Sequence, residues 1–321
     1  MTMTMTKPNH RTLLQMLTYR RPEGCKTQDD FCRKYLKPVF GLPDIHGNYS
    51  LTIGDKPAVM LTAHHDTVHR DDGIQLVKYQ NGMASLPKRS KSNCLGADCT
   101  TGIWLMLHMI QNAIPGFYVI FAGEEIGCIG SSAMALENPV QLDSVKACVS
   151  FDRRNVDSIV THQCGYRTAS DEFAESLANA IGMDMKPDKT GAYTDSNEFA
   201  AIIPECTNLS VGYYGQHTAG EKQDVWFAVK LANALVSADW DSLVIARNPE
   251  SFVSDYGQSD WPDMAGTETL DRMAALIESN PEAIACLLDQ LGYSLADLAE
   301  EIGFGDNNAI CARYSDIFAD G

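Results

Sequence analysis

The chain places histidines and carboxylates directly after its apolar runs, and such residues at such ends can hold divalent cations and activate water. Ala58-Val59-Met60-Leu61-Thr62-Ala63 leads into His64-His65-Asp66-Thr67-Val68. Side chains alternate faces along an extended chain, so His64 and Asp66 point one way and His65 the other. A metal-binding histidine commonly gives its second ring nitrogen to a carboxylate that fixes its tautomer, and Asp66 is placed to do this for His64. Taken alone, the pair also describes a hydrogen-bonded core histidine.

Four more positions extend the pattern. Gly96-Ala97-Asp98-Cys99 precedes the apolar segment Ile103-Trp104-Leu105-Met106-Leu107. Asp98 there is either a helix cap or a carboxylate able to bridge two cations, one oxygen to each. Phe117 to Ala122 ends in Gly123-Glu124-Glu125-Ile126-Gly127. Adjacent carboxylates repel unless a cation or a proton separates their roles, and one ligand beside one free base is an arrangement that hydrolysis can use. The same pair also suits a solvated loop. Ala147 to Phe151 leads into Asp152-Arg153-Arg154, where the arginines offer salt-bridge partners. Thr207 to Val211 leads into Gly212-Tyr213-Tyr214-Gly215-Gln216-His217-Thr218, a glycine-rich loop that leaves His217 free to ligate. No single motif is specific, but their succession is hard to credit to accident.

The elements that must position these residues alternate in type. Apolar runs at 58–63, 117–122, 147–151 and 207–211 read as buried strands, with Asn48 to Ile53 a half-buried one. Helical patterns lie near 10–19, 27–38, 100–113, 130–137, 169–182 and 221–246. Alternation of this kind predicts an α/β sheet with helices on both faces and its chemistry beyond the carboxyl ends of the strands.

Length and charge narrow the rest. With 321 residues and 45% hydrophobic content, the chain can bury a large core. No apolar run approaches the roughly 20 residues of a membrane span, and the opening Met-Thr repeat has no signal-peptide core, so no membrane partner and a cytoplasmic location are expected. The ten cysteines show no CxxC pair and read as reduced thiols. Net charge is −17, and from Arg247 onward 3 basic residues face 15 acidic ones, which disfavours nucleic acid as a partner. The polar stretch after Ala246 reads as a linker, giving a catalytic domain over 1–246, a linker over 247–266 and a small acidic all-α appendage over 267–321. That appendage suits packing or self-association into a homo-oligomer.

Taken together, His64-His65-Asp66-Thr67-Val68, Gly96-Ala97-Asp98, Glu124-Glu125-Ile126-Gly127, Asp152 and His217-Thr218 resemble the dinuclear zinc exopeptidases. Asp44-Ile45-His46-Gly47-Asn48 resembles that family's lead-in. The resemblance covers about 45 to 220 and implies a mostly parallel mixed sheet. It further implies one metal on His64, Asp98 and Asp152 and a second on Asp98, Glu125 and His217. Asp98 would bridge, Asp66 would orient His64, and Glu124 would be the general base. Such ligands suit two Zn²⁺ ions, with Co²⁺ or Mn²⁺ as substitutes. Cys99 departs from the family, which usually has a second acid there, and puts the geometry of the bridge in question.

Spacing orders the hydrolases. Only 33 residues separate His64 from Asp98 and 64 separate Asp152 from His217, too few for the extra domain many relatives insert. The chain therefore resembles the compact bacterial leucyl-type aminopeptidases, which remove N-terminal residues from peptides. Asp195 is the candidate for the substrate's ammonium, though it equally suits a helix cap, and Tyr213 or Tyr214 for the oxyanion. The alternatives are a zinc carboxypeptidase or N-acyl amino acid deacylase, with Arg153 or Arg154 on the substrate carboxylate, and a metal-binding structural protein. A glutaminyl-cyclase-like transferase would normally hold a single zinc.

Overall fold

In a computed structural model the described residues are 5–250, together with the helical positions Ile284 and Leu288. The chain divides into two compact units, Met1–Pro262 and Asp263–Gly321. The central sheet and the helices that cover it belong to the first unit. Apart from Ile284 and Leu288, the helices expected after Gly266 lie outside the described residues, as does most of the linker.

Seven strands form the central sheet: β1 (Tyr49–Ile53), β2 (Val59–His64), β3 (Gly116–Phe121), β4 (Ala147–Arg153), β5 (Ser158–Val160), β6 (Lys186–Asp188) and β7 (Glu205–Ser210). Their spatial order is β6-β5-β7-β4-β2-β3-β1. The β7-β4-β2-β3 core is parallel, β6 runs parallel to β5, and β1 pairs antiparallel with β3 at one edge. The expected mostly parallel mixed sheet is therefore present. Every residue of β2, β3 and β7 is buried, as strands covered on both faces require, although β7 carries Glu205, Thr207, Asn208 and Ser210.

Strand alternation divides the core in two. Leu61, Ala63, Tyr118, Ile120 and Val149 face one cluster, joined by α1 (His10–Met16), α3 (Ala97–Gln111), α5 (Asp171–Ile181) and α6 (Val225–Ser237). Met60, Phe117, Val119, Phe121 and Cys148 face the other, closed by Met134 of α4 (Ile129–Glu137) and by Phe199 and Ile203. The chain leaves β2 through α3 for β3 on one side, then returns through α4 to β4 on the other. The carboxyl ends of β2, β3 and β4 thus flank a point where the winding reverses, and open α/β sheets bind ligands at such points.

Two helices differ from the sequence expectation. The segment 27–38 is not one helix but α2 (Lys26–Phe31), a π turn over Cys32–Leu36 and a last turn over Lys37–Phe40. The segment 221–246 shortens to α6, because Lys222–Asp224 joins a small sheet with Tyr213–Tyr214 and Met83–Ser85, and Asp224 caps Phe227. Asp224 is an N-cap of ordinary type, a signal that the apolar periodicity after it obscured.

Helix α3 sits unusually close to β4. A Cβ on Gly102 would lie 2.3 Å from the Phe151 carbonyl oxygen and 2.6 Å from Cys99 Sγ. Gly→Ala in an open helix gains about 0.5–1 kcal/mol. Here the backbone contact reverses the sign, and Gly102→Ala is expected to destabilise by about 1–3 kcal/mol in urea unfolding; a stabilised variant would contradict this packing.

Candidate active site

The site residues are delivered by several elements at the sheet's carboxyl edge. His64 ends β2, Glu124 and Glu125 follow β3, and His217 lies in the loop after β7. Asp152 lies inside β4 rather than beyond it. Asp98 opens α3 with non-helical backbone angles, after Gly96 turns with a φ of 73°. A Cβ at Gly96 would come 2.7 Å from the His69 ring, so both conformation and space call for glycine there.

The two histidines meet one shared carboxylate. His64 Nε2 lies 3.2 Å from Asp98 Oδ1 and 3.4 Å from Asp152 Oδ1. His217 Nε2 lies 3.3 Å from Asp98 Oδ2 and 3.2 Å from Glu125 Oε2. A tetrahedral ion with bonds of about 2.0–2.1 Å has ligand–ligand edges of about 3.3–3.4 Å, so these separations suit a cation inside each trio. Glu125 Oε1 is moreover buried without any hydrogen bond, and buried polar atoms rarely go unpartnered without such a reason. Single ligand atoms of His64, Asp98 and Glu125 also lie within 4.8 Å of one another. His64 is wholly buried and the His217 side chain 31% exposed, so the site opens on the His217 side.

Asp66 does more than orient one ring. Its Oδ1 lies 3.3 Å from His64 Nδ1. It also accepts the backbone N–H of Glu124 at 3.2 Å and of Glu125 at 3.0 Å, tying the two acids to His64. His65 points away, between Gln28 and the Gly47 carbonyl. The turn at Asp44–Asn48 braces the same loop from outside, with Asn48 donating to Gly130 O and accepting from Ala122 N.

Asp152 is held from three sides. Thr194 donates to its Oδ2 at 2.9 Å, Asn208 pairs with both its N–H and its carbonyl, and the Tyr213 hydroxyl donates to that carbonyl at 2.8 Å. Thr194 and Asn208 gave no sequence signal, being ordinary polar residues in unrelated segments. Tyr214 is half-buried beside Tyr213. Asp195 is buried and accepts from Ser131 at 2.6 Å. Arg153 is bound to Asp188 at 2.7 Å and to Thr190 at 2.8 Å, and Arg154 is exposed. Cys99 shares a 4.8 Å cluster with His64 and Asp152, but its thiol donates to Phe151 O at 3.1 Å. Burial pushes that thiol well above its usual range.

Sequence reasoning missed Glu221. Its carboxylate is fully buried and receives four backbone N–H groups, from Leu95, Gly96, Ala97 and Asp98. The only available signal was its position four residues after His217, which does not reveal a partner 123 residues away.

The electrostatics follow from crowding. Burial, with the charge of Asp98, raises Asp152 to about 7. Burial lifts Glu124 well above the carboxylate range, against the pull of His64. Burial works against ionising Asp98, yet the flanking imidazoles hold it well below its usual value. Burial would depress both histidines, but Glu124 and Asp152 raise His64 well above its usual value and Glu125 and Asp98 raise His217 to about 12.

Comparison with known proteins agrees with this geometry. Residues 45–201 match the sequence model of Peptidase family M28. No curated protein matches the chain. Among solved structures, a tripeptidase from Staphylococcus aureus superposes with a TM-score of 0.58 at 16% identity, over 72% of this chain and 98% of that one. Aminopeptidase PepT from Bacillus cereus gives 0.54 at 15% identity, over 71% and 97%. The TET1 peptidase of Pyrococcus horikoshii gives 0.54 at 13% identity, over 71% and 98%. With two candidate metal-holding clusters at the sheet's carboxyl edge and an M28-like zinc-exopeptidase fold, this chain is a metallopeptidase that hydrolyses peptide bonds.

Proposed function

We propose that the protein is an aminopeptidase working with two zinc ions, for which cobalt or manganese can substitute. His64, Asp98 and Asp152 would hold one ion, and Asp98, Glu125 and His217 the other. The observation that carries this reading is the division of Asp98, with Oδ1 toward His64 and Oδ2 toward His217 at 3.2 and 3.3 Å. Ions bound there supply Lewis acidity, lowering the pKa of a water toward neutrality and polarising the scissile carbonyl.

Glu124 is the base in this reaction. It lies 3.8 Å from His64 Nε2 and its side chain is 12% exposed, so it lines the site without entering either ligand trio. A carboxylate made more basic by burial is suited to taking the attacking water's proton and returning it to the leaving amine. Asp66 keeps His64 in one tautomer throughout. A purely structural metal site would have no use for Glu124.

The choice of the amino end rests on charge. Arg153 is already committed to Asp188 and Thr190, which weakens the carboxypeptidase and deacylase alternatives. The acid-rich wall suits an α-ammonium, and Asp195, held through Oδ1 by Ser131, is our candidate to receive it. With the Tyr213 hydroxyl turned to Asp152, Tyr214 is the better candidate for the oxyanion. Cys25, Cys32, Cys94, Cys99, Cys128, Cys148 and Cys206 form no disulfide bond, in keeping with a cytoplasmic location. No helix among the described residues is long and apolar enough to cross a membrane. A catalytic domain over 1–246, a linker over 247–266 and an acidic appendage over 267–321 that supports self-association complete the proposal.

Two measurements check it. Zinc ligation calls for neutral imidazoles and ionised carboxylates, so titration calorimetry at pH 7 in buffers of different ionisation enthalpy should register net proton release on zinc binding. Because both imidazoles are raised, binding should weaken as pH falls from 8 to 6; pH-independent binding without proton release would contradict the ligand assignment. The zinc-loaded protein should remove the first residue of a free peptide and leave its N-acetylated twin intact. Glu124→Gln should lower kcat by about 10²–10⁴-fold with both metals retained. Cleavage of the acetylated twin, or an active Glu124→Gln protein, would overturn this reading.

A further inference from the structure

The bridging carboxylate sits on a loop that is not held by its own helix. Residues 95–98 approach α3 with four consecutive backbone N–H groups turned inward, and all four end on one side chain. Glu221 Oε2 accepts from Leu95 at 2.7 Å and Gly96 at 2.9 Å, and Oε1 accepts from Ala97 at 2.8 Å and Asp98 at 3.2 Å. Charge-assisted bonds of this type are about twice as strong as neutral ones. Glu221 is 1% exposed, so water does not compete for those oxygens.

The segment carrying Glu221 also carries a ligand. Thr218 Oγ1 donates to Gly215 O, folding the loop so that His217 reaches Asp98 Oδ2 while Glu221 reaches the backbone beneath it. Two residues on, Gln223 accepts from Thr101 Oγ1 at 2.6 Å, fixing the same segment to the first turn of α3. His217 and Asp98 are therefore brought together by a carboxylate that lies in neither ligand trio.

We propose that Glu221 is a positioning residue that fixes the bridging carboxylate Asp98 relative to His217, so that the separation between the two metal positions depends on it. This rests on the two-metal reading above. A carboxylate with four N–H groups on two oxygens has no equal among neutral side chains. A glutamine there keeps one accepting oxygen and turns an NH₂ toward donors, which pushes the loop away. Asp98 would then shift against His217, and the ion between them would lose its geometry.

Glu205 supplies the control, because it does the same work elsewhere. It is fully buried and accepts from Ser170 N, Ser170 Oγ, Ala246 N and Arg247 N, none of which carries a site ligand. Glu221→Gln and Glu205→Gln should both lower the melting temperature of the metal-free protein. Only Glu221→Gln should weaken binding of the second Co²⁺ ion, by about 10–100-fold in a titration followed by the visible absorption of cobalt. Its kcat should fall with KM for the peptide little changed. Glu221→Asp, which keeps the charge on a shorter arm, should lie between wild type and glutamine, and it is the variant to read if Glu221→Gln fails to fold by circular dichroism. Wild-type cobalt affinity and spectrum in a destabilised but folded Glu221 variant would overturn the proposal. Wild-type protein that binds no second cobalt would instead overturn the two-metal reading on which it rests.

Discussion

Carboxylates do not gather in a dry place unless positive charge joins them. Asp98, Glu124, Glu125 and Asp152 all lie around His64 and His217 with little access to water. Their mutual repulsion and the loss of hydration would scatter them if the backbone were free to yield. Burial raises Glu124 and Asp152, and the acids around them raise both histidines. Much of the remaining structure exists to hold this set against itself. Asp66 ties the Glu124-Glu125 turn to His64, Glu221 ties the Asp98 loop to the His217 loop, and Asn208, Thr194 and Tyr213 hold Asp152. Each brace lies one hydrogen bond behind a ligand, where orientation is set.

The sheet makes this possible because its carboxyl ends converge. β2, β3 and β4 are neighbours although they are separated in sequence by a 15-residue helix and a long loop. Their two-faced burial makes them rigid, and a ligand at the end of a rigid strand keeps its place without help from other ligands. The exposed side of the site is formed by loops. His217 is the most accessible residue of the set, so the site opens on its side.

Legibility in the sequence depends on physical range. Apolar runs ending in His64, Glu124-Glu125 and His217 were legible because strand burial and the loop after it are local properties. The direction of Asp66 was legible because strand alternation is local too. Asp152 was found as a residue but misplaced by a residue or two, since the strand continues through it to Arg153. The long helix expected over 221–246 failed where Lys222–Asp224 pairs with Met83–Ser85, a contact between distant segments that no local pattern encodes. Glu221, Thr194 and Asn208 were invisible for the same reason, since each acts on a residue 42 or more positions away. Arg153 was legible as a salt-bridge residue but its partner was not, because Asp188 lies on a strand that the fold brings beside it.

The central claim is that one carboxylate divides its two oxygens between two ions. Anomalous diffraction at the zinc edge from crystals of the zinc-loaded protein tests it most directly. Two peaks about 3.5–4 Å apart are predicted, one on each side of Asp98. A single peak, or two peaks that do not share Asp98, would contradict it.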